Sequence, residues 1–437
     1  MNVKFKMFWV ILYCFTTSLF LYQCTPSDKR PNQDSSQSGL IDALVPNANT
    51  QIDIGNVATS VDLGIADNQI DRGTQEADQN NLPMIPTYDF SRVESAMNAM
   101  IEADEEMKGA ALSIIHRDYG VVYKKAFGEF ALDRVYLVAS ATKMVSAGIL
   151  NKLHDQEILD LDEPLANLTT WGSGNPLITT AQLLSNSSGL IGILENTSFA
   201  GYFCQFRFLD DIQACAEEIF LTPEDDDLID EPDTRFRYGG AQWQVAGAVA
   251  EIMSGKSWYE LFNETYGNPC GLSSTGYANH ILQFLSFDLS YPEGFDGDIS
   301  RLNETENPWI EGGLYTTLSD YTKLLLMHLN GGICEGNRVH PESTIERMHE
   351  DRIRTVYQGS TGVNLGGVNM EGYGMGWWIN RDMEGVVYDP GAYGAFPYLD
   401  KQKGYGAFIA IEMTAFKGAT LYLRLDPLIQ EALDLTD

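Results

Sequence analysis

The sequence predicts a protein of mixed helix and strand: one sheet made from both ends of the folded part, with a helical region inserted. Three observations carry this. Ala110 to His116 and Val121 to Phe127 are short runs rich in strand-forming residues, separated by Asp118-Tyr119-Gly120, which is a hairpin pattern. Runs of similar character return near the C-terminus, at Tyr373 to Trp378, Val386 to Tyr388, Phe396 to Leu399 and Ala407 to Met413, with glycines between them. The chain between these two groups has apolar residues at helical spacing. Strands at both ends with helices between imply one sheet made from both ends of the domain.

The elements follow in order. Phe90, Val93, Met97 and Ile101 recur at helical spacing before the hairpin. After it, Leu137 to Val145 opens a helix whose apolar face continues through Ala147, Leu150 and Leu153. Ile178 to Leu184 reads as a helix capped by Thr179 and Thr180. Residues 201 to 235 read as loops. Gln242 to Ser254 is a helix closed by Gly255, and Trp258 to Tyr266 continues helical. Leu318 to Leu329 is a helix stopped at Asn330-Gly331-Gly332. Pro427 to Leu435 is expected to close the chain as a helix, with Asp426 as its cap and proline in its first position.

Three regions differ in composition. Residues 1–24 resemble an export leader: Lys4 and Lys6, an apolar run from Met7 to Tyr22, then Leu21-Tyr22-Gln23-Cys24, which is similar to a bacterial lipobox with Cys24 as the lipidation candidate. Gln23 departs from the small residue usual before that cysteine, so plain secretion or an uncleaved anchor stays open. Residues 25–85 are polar without helical or strand periodicity and read as a disordered tether. The folded domain is expected over 86–437, with a helical subdomain at about 150–310. The formal net charge is −33; the leader carries +2 and the tether −6, which leaves −29 from residue 86 onward. That acidity argues against nucleic acid and anionic membrane surfaces as partners, so contact with a membrane is expected only through an N-terminal anchor. An exported location, in the cell envelope or secreted, follows from the leader. Beyond it, Cys204, Cys215, Cys270 and Cys334 are even in number, which suggests disulfides. Cys204 and Cys215 are the first pair to expect; Cys270 and Cys334 are either paired or simply buried. The acidic run Glu224-Asp225-Asp226-Asp227 lacks the alternation and turn glycine of a calcium loop. No Cys-x-x-Cys or histidine cluster has metal-ligand spacing.

Chemistry centres on Ser140-Ala141-Thr142-Lys143, the only Ser-x-x-Lys in the chain. Positions i and i+3 share a helix face, so Ser140 Oγ and Lys143 Nζ can meet. An amine beside a hydroxyl can take its proton if burial or positive neighbours keep the amine neutral. None of the six histidines sits in a glycine-flanked loop, and no Gly-x-Ser-x-Gly occurs, which sets a Ser-His-Asp triad aside. Tyr238, in the turn-rich approach Pro232 to Gly240, is a second group able to handle a proton.

Together these residues resemble the penicillin-recognising serine hydrolases: class C β-lactamases, D-alanyl-D-alanine carboxypeptidases and related esterases. The resemblance spans about 86 to 437. Ser140-Ala141-Thr142-Lys143 is similar to the first motif, and Tyr238-Gly239-Gly240 to the Tyr-x-Asn motif. Asn268 to Leu272, Leu159 to Pro164, Leu183 to Leu190, and Glu311-Gly312-Gly313-Leu314 with Ser319-Asp320 are similar to further landmarks in the same order. The third motif, Lys-Thr-Gly or His-x-Gly, falls at Asp389-Pro390-Gly391, followed by Ala392-Tyr393-Gly394. Two departures stand out: Gly240 replaces the asparagine and Asp389 the cation. The resemblance implies a β-lactamase/transpeptidase-like fold of the α/β (α+β) class, an antiparallel sheet flanked by helices with an inserted mostly helical subdomain, and no metal or organic cofactor. It implies Ser140 as nucleophile, Lys143 as its base, neutral or sharing a proton with Tyr238, and Tyr238 as acid to the leaving group. The N–H groups of Ser140 and Ala392 would form the oxyanion hole. Gly240, Asp389, Gly391 and Tyr393 would line the substrate, with Gly391 letting it approach without a Cβ in the way. Asp389 should repel substrate carboxylates, so a small-molecule ester is expected before a peptide of cell-wall fragments. A non-catalytic envelope binding protein on the same scaffold is the reading from another class. Oligomeric state is not legible.

Overall fold

The computed structural model describes residues 86–192, 201–284 and 291–435; the leader with Cys24 and the tether lie outside the described residues. Helix α1 (Ser91–Glu102) precedes the hairpin β1 (Gly109–His116) and β2 (Gly120–Gly128). The short β3 (Val135–Leu137) leads through a tight turn at Ala139–Thr142 into α2 (Lys143–Asp155). Then come α3 (Thr180–Leu184), α4 (Ile212–Phe220), α5 (Ala241–Ser254), α6 (Trp258–Phe262) and the short β4 (Gly276–Tyr277). Strand β5 (Leu314–Thr317) runs into α7 (Leu318–Leu329). Strands β6 (Gly372–Tyr373), β7 (Trp378–Ile379), β8 (Val386–Tyr388), β9 (Phe396–Asp400) and β10 (Tyr405–Ala410) follow, and α8 (Ala415–Ala432) closes the domain.

Seven strands form one antiparallel sheet in the order β6-β7-β8-β9-β10-β1-β2. The two ends of the domain meet in its middle: β1 pairs with β10 in a register that sets Ile114 opposite Ala407. Successive side chains on a strand point to opposite faces, and here both faces are covered. Ala111 and Ile115 of β1 join the core that holds α7 and α2. Ala110, Leu112 and Ile114 join the core that holds α1 and α8. Ser113 faces α7 and shares a buried 2.6 Å hydrogen bond with Thr322. A second small sheet, β3-β5-β4, lies where the helical region leaves and rejoins this core.

Two sequence expectations are corrected. The closing helix starts at Ala415, capped by Thr414, which accepts from the Lys417 N–H. Pro427 lies inside it and Asp426 is buried, accepting from the Tyr405 hydroxyl at 2.6 Å and from Gln430. An interior proline costs about 3 kcal/mol. Leu421, Leu425 and Ile429 are fully buried on this helix's inner face, and each is worth about 1.5–3 kcal/mol; packing overrides the local signal. In the stretch read as loops, Ile212, Cys215, Ala216 and Ile219 form the buried face of α4, which Asp211 caps by accepting from the Gln213 and Ala214 N–H groups. That spacing is helical and was legible.

Among the described residues no helix is long and apolar enough to cross a membrane. Cys204 bonds Cys215, the pair expected first, and the open question at Cys270 is answered by a disulfide to Cys334. Two disulfides suit an oxidising compartment. The Cys270–Cys334 bridge spans 64 residues and Cys204–Cys215 spans 11. By chain entropy these are worth about 4 and about 3 kcal/mol. Cys270→Ser/Cys334→Ser should therefore lower the urea midpoint more than Cys204→Ser/Cys215→Ser does; equal or reversed shifts would contradict the assignment of strengths.

Candidate active site

The turn carrying Ser140 is held from three sides. From β5, the Leu314 carbonyl accepts from the Val138 N–H at 3.2 Å, and the Leu314 N–H donates to Thr142 Oγ1 at 3.1 Å. From α7, the Tyr321 hydroxyl donates to the Ala141 carbonyl at 2.7 Å. From the corner after β8, Asp389 Oδ2 accepts from the Met144 N–H at 2.9 Å. This last contact satisfies one of the donors that a helix start leaves without an internal partner. Ala139 adopts φ 46°, a left-handed conformation that an alanine keeps only when its surroundings enforce it.

Lys143 begins α2 and is completely buried. Its Nζ lies 3.2 Å from Ser140 Oγ and 2.8 Å from Glu311 Oε2, with the Glu311 carbonyl at 3.4 Å. The same ammonium sits over the Tyr238 ring, 4.6 Å from its centroid. Burial works against the charge, but the Glu311 carboxylate and the Tyr238 phenol outweigh it and hold Lys143 above its ordinary value. The pairing with Glu311 thus favours the charged form of Lys143 over the neutral or proton-sharing lysine expected from the sequence. Burial pushes the Tyr238 phenol upward; Lys143 opposes this and Glu311 adds to it. The Tyr238 hydroxyl interacts with both Ser140 and Lys143.

Tyr238 owes its place to the Ser185–Ser188 landmark. Asn186, at φ 53°, accepts through Oδ1 from Gln242 Nε2 at 3.0 Å and Trp243 Nε1 at 3.3 Å, and through its carbonyl from the Arg237 N–H at 2.8 Å. Gln242 in turn donates to the Arg237 carbonyl at 2.7 Å. The loop before α5 is therefore stitched to one rigid turn on both sides of Tyr238. Beyond it, Phe236, Tyr373 and Trp378 form an aromatic wall, with the Tyr238 and Trp378 centroids 5.1 Å apart.

The sheet, the inserted helices and this Ser-Lys-Tyr cluster have a counterpart among known proteins: the family model described as Beta-lactamase matches residues 96–432. The chain belongs to the beta-lactamase family. It is 25% identical over 323 residues to penicillin-binding protein 4 of Amycolatopsis lactamdurans, covering 70% of this chain and 77% of that one. It is 24% identical over 305 residues to the D-alanyl-D-alanine-carboxypeptidase/endopeptidase AmpH of Escherichia coli K12, covering 65% and 74%. A solved family VIII carboxylesterase superposes with a TM-score of 0.57 at 19% identity, covering 78% of this chain and 97% of that one. At that level the protein is a beta-lactamase-family serine hydrolase, and the β-lactamase/transpeptidase-like fold agrees with the sequence expectation.

Within this family member, Ser140, Lys143 and Tyr238 come together, and the expected substrate-lining set does not. Asp389 is buried against the start of α2 and presents no charge to a substrate. Tyr393 is fully buried too, sharing a 3.1 Å hydrogen bond with His280 Nε2, a histidine that burial pushes down to about 3. Gly391 is required by the protein's own chain: a Cβ there would lie 1.9 Å from the Val138 carbonyl oxygen. That close approach lays Ala392, which is partly exposed, against the Ser140 turn. Gly240 likewise faces protein, since its Cβ would meet Glu311 Oε1 at 1.7 Å. Glu311 is the group the sequence reading left without a role. Its signal was present, an acid at the head of Glu-Gly-Gly-Leu together with a missing side chain at 240.

Burial pushes the Asp389 carboxyl well above the usual carboxylate range, opposed by the Met144 N–H and Lys143. The folded protein keeps this proton where the unfolded chain has lost it. The stabilisation is full below an unfolded aspartate pKa of about 3.9 and is lost as pH rises through the folded value. Asp389→Asn keeps an acceptor for Met144 and removes the titration. Its melting temperature relative to wild type should therefore climb between pH 4 and pH 8; a constant difference would show that Asp389 is ionised in the fold.

Proposed function

We propose that this protein hydrolyses small neutral carboxylic esters through an acyl-enzyme on Ser140. The observation that carries the substrate class is the state of the cations. Lys143, the cation in contact with Ser140, is neutralised by Glu311, and position 389 supplies no cation to hold a substrate carboxylate. A substrate ending in a carboxylate would have to be desolvated without a partner, which is costly. The partly exposed Phe236 beside Tyr238, backed by the buried Tyr373 and Trp378, suits an apolar acyl or alcohol group.

With Lys143 charged, the proton of Ser140 leaves through Tyr238. As Ser140 Oγ bonds to the ester carbonyl carbon, its proton passes to the Tyr238 oxygen, and the phenol proton passes to the departing alkoxide oxygen. Tyr238 thus ends neutral, as it began. Lys143 stabilises the negative charge building on Oγ. The carbonyl oxygen takes up the electron pair in front of the Ser140 and Ala392 N–H groups and returns it as the alcohol leaves. Water repeats the steps in reverse through the same phenol, frees the acid and restores Ser140.

A second reading, a peptidase of D-amino-acid fragments, draws support from the likeness to the carboxypeptidase/endopeptidase AmpH. The two disulfides and that relative support a place in the cell envelope. Assays on p-nitrophenyl acetate and butyrate against a D-alanyl-D-alanine peptide should show faster ester turnover; a faster peptide would select the second reading. Ser140→Ala should abolish ester turnover and fluorophosphonate labelling together. Tyr238→Phe should lower kcat by about a hundred- to ten-thousandfold, the range of a lost acid–base group. Undiminished turnover in Ser140→Ala would end the proposal.

A further inference from the structure

Gly240 and Glu311 share one volume. A side chain at 240 would begin 1.7 Å from Glu311 Oε1 and 2.2 Å from both that carboxyl's carbon and Gln205 Oε1. The carboxylate filling that space reaches Lys143 at 2.8 Å. Both side chains are shut away from water, at 0% and 6% exposure. An ammonium in such a place is charged only if a partner supplies the compensation that water would give.

We propose that Glu311 is the positioning residue of this site: it occupies the space left by Gly240 and serves as the counter-ion that keeps Lys143 charged and aimed at Ser140. The two positions are thus coupled. A glycine at 240 is needed because an acid stands at 311, and the acid is needed because glycine offers Lys143 nothing. The groups facing Lys143 are few: Ser140 from its own turn, Tyr238 and the Trp243 ring from the start of α5, Asp389 from the corner after β8, and Glu311. Asp389 is held toward its neutral form by burial. Glu311 is therefore the carboxyl group in direct contact with the ammonium.

The inference rests on the serine-hydrolase reading for its consequence in rate, and a direct titration of the lysine separates the two. Protein carrying ¹³C-labelled lysine reports the charge of Lys143 by NMR, without any substrate. In wild type, Lys143 should stay charged throughout the range from pH 6 to pH 9. In Glu311→Gln it should titrate about 3 units lower or more, as buried lysines without a partner do. Fluorophosphonate labelling of Ser140 at pH 8 should fall roughly a hundredfold in Glu311→Gln, the scale of a lost electrostatic contact at a reacting oxygen, and be regained in part at lower pH. Gly240→Asn alone should be similarly impaired by the clash. With Gln205→Ala present in both, because Gln205 Oε1 also lies 2.2 Å from a Cβ at 240, Glu311→Ala/Gly240→Asn should label at least about tenfold faster than Glu311→Ala, a non-additivity of the size that touching residues show. An unchanged Lys143 titration in Glu311→Gln, unchanged labelling, or a Glu311→Ala/Gly240→Asn variant no faster than Glu311→Ala in the Gln205→Ala background would overturn the proposal. If the variants fail to fold, a wild-type Lys143 already neutral at pH 7 would overturn it, and one still charged at pH 9 supports it. A wild type that labels at Ser140 but turns over no ester would refute the ester reading while leaving Glu311 to be decided by the titration.

Discussion

A lysine ammonium removed from water must be paired, and Lys143 is removed completely. An unpaired charge at that depth costs several kcal/mol, so everything packed around Lys143 has to be compatible with the charge it carries. Glu311 supplies the opposite charge, the Tyr238 ring supplies the negative face of its π-system, and Ser140 Oγ completes the shell. The elements that bring these groups together are far apart in sequence. The turn before α2 carries Ser140, the approach to α5 carries Tyr238, and the segment before β5 carries Glu311. The small sheet β3-β5-β4 holds the first and third in register, because β3 pairs with β5 two residues from the Ser140 turn.

The family departures then form a consistent set. The glycine at 240 leaves the space that the Glu311 carboxyl fills. The aspartate at 389, which looks in sequence like a reversal of charge at the substrate wall, is a buried cap for the catalytic helix. Gly391 serves the same contact surface, letting the corner after β8 lie against the Val138 carbonyl. In each case a position expected to line the substrate packs against the protein, while Ser140, Lys143 and Tyr238 remain together.

Much of this was legible in the chain. Period-2 and period-3.6 patterns fixed the hairpin, the central strands and the helices that start at Lys143, Ala241 and Leu318, since each buries one face and writes that face into its spacing. The Ser140, Lys143 and Tyr238 assignments came from motif order, and the structure brings the three into contact. What failed locally failed for a tertiary reason: Asp426-Pro427 is a good helix start, but a face of Leu421, Leu425 and Ile429 packed on the sheet extends the helix back through it. The α4 helix was hidden by its polar neighbours rather than by any lack of period.

The sequence by itself determined the fold class and singled out Ser140, Lys143 and Tyr238 as the candidate cluster, because residue type, spacing and motif order are local properties. Which side chains face the substrate and which face the protein was decided only by tertiary structure. Asp389, Tyr393, Gly391 and Gly240 all lie outside helices and strands, where no periodicity tells inside from outside. The charge of Lys143 was also out of reach: it depends on Glu311, 168 residues away along the chain, and on the exclusion of water that only the assembled domain provides.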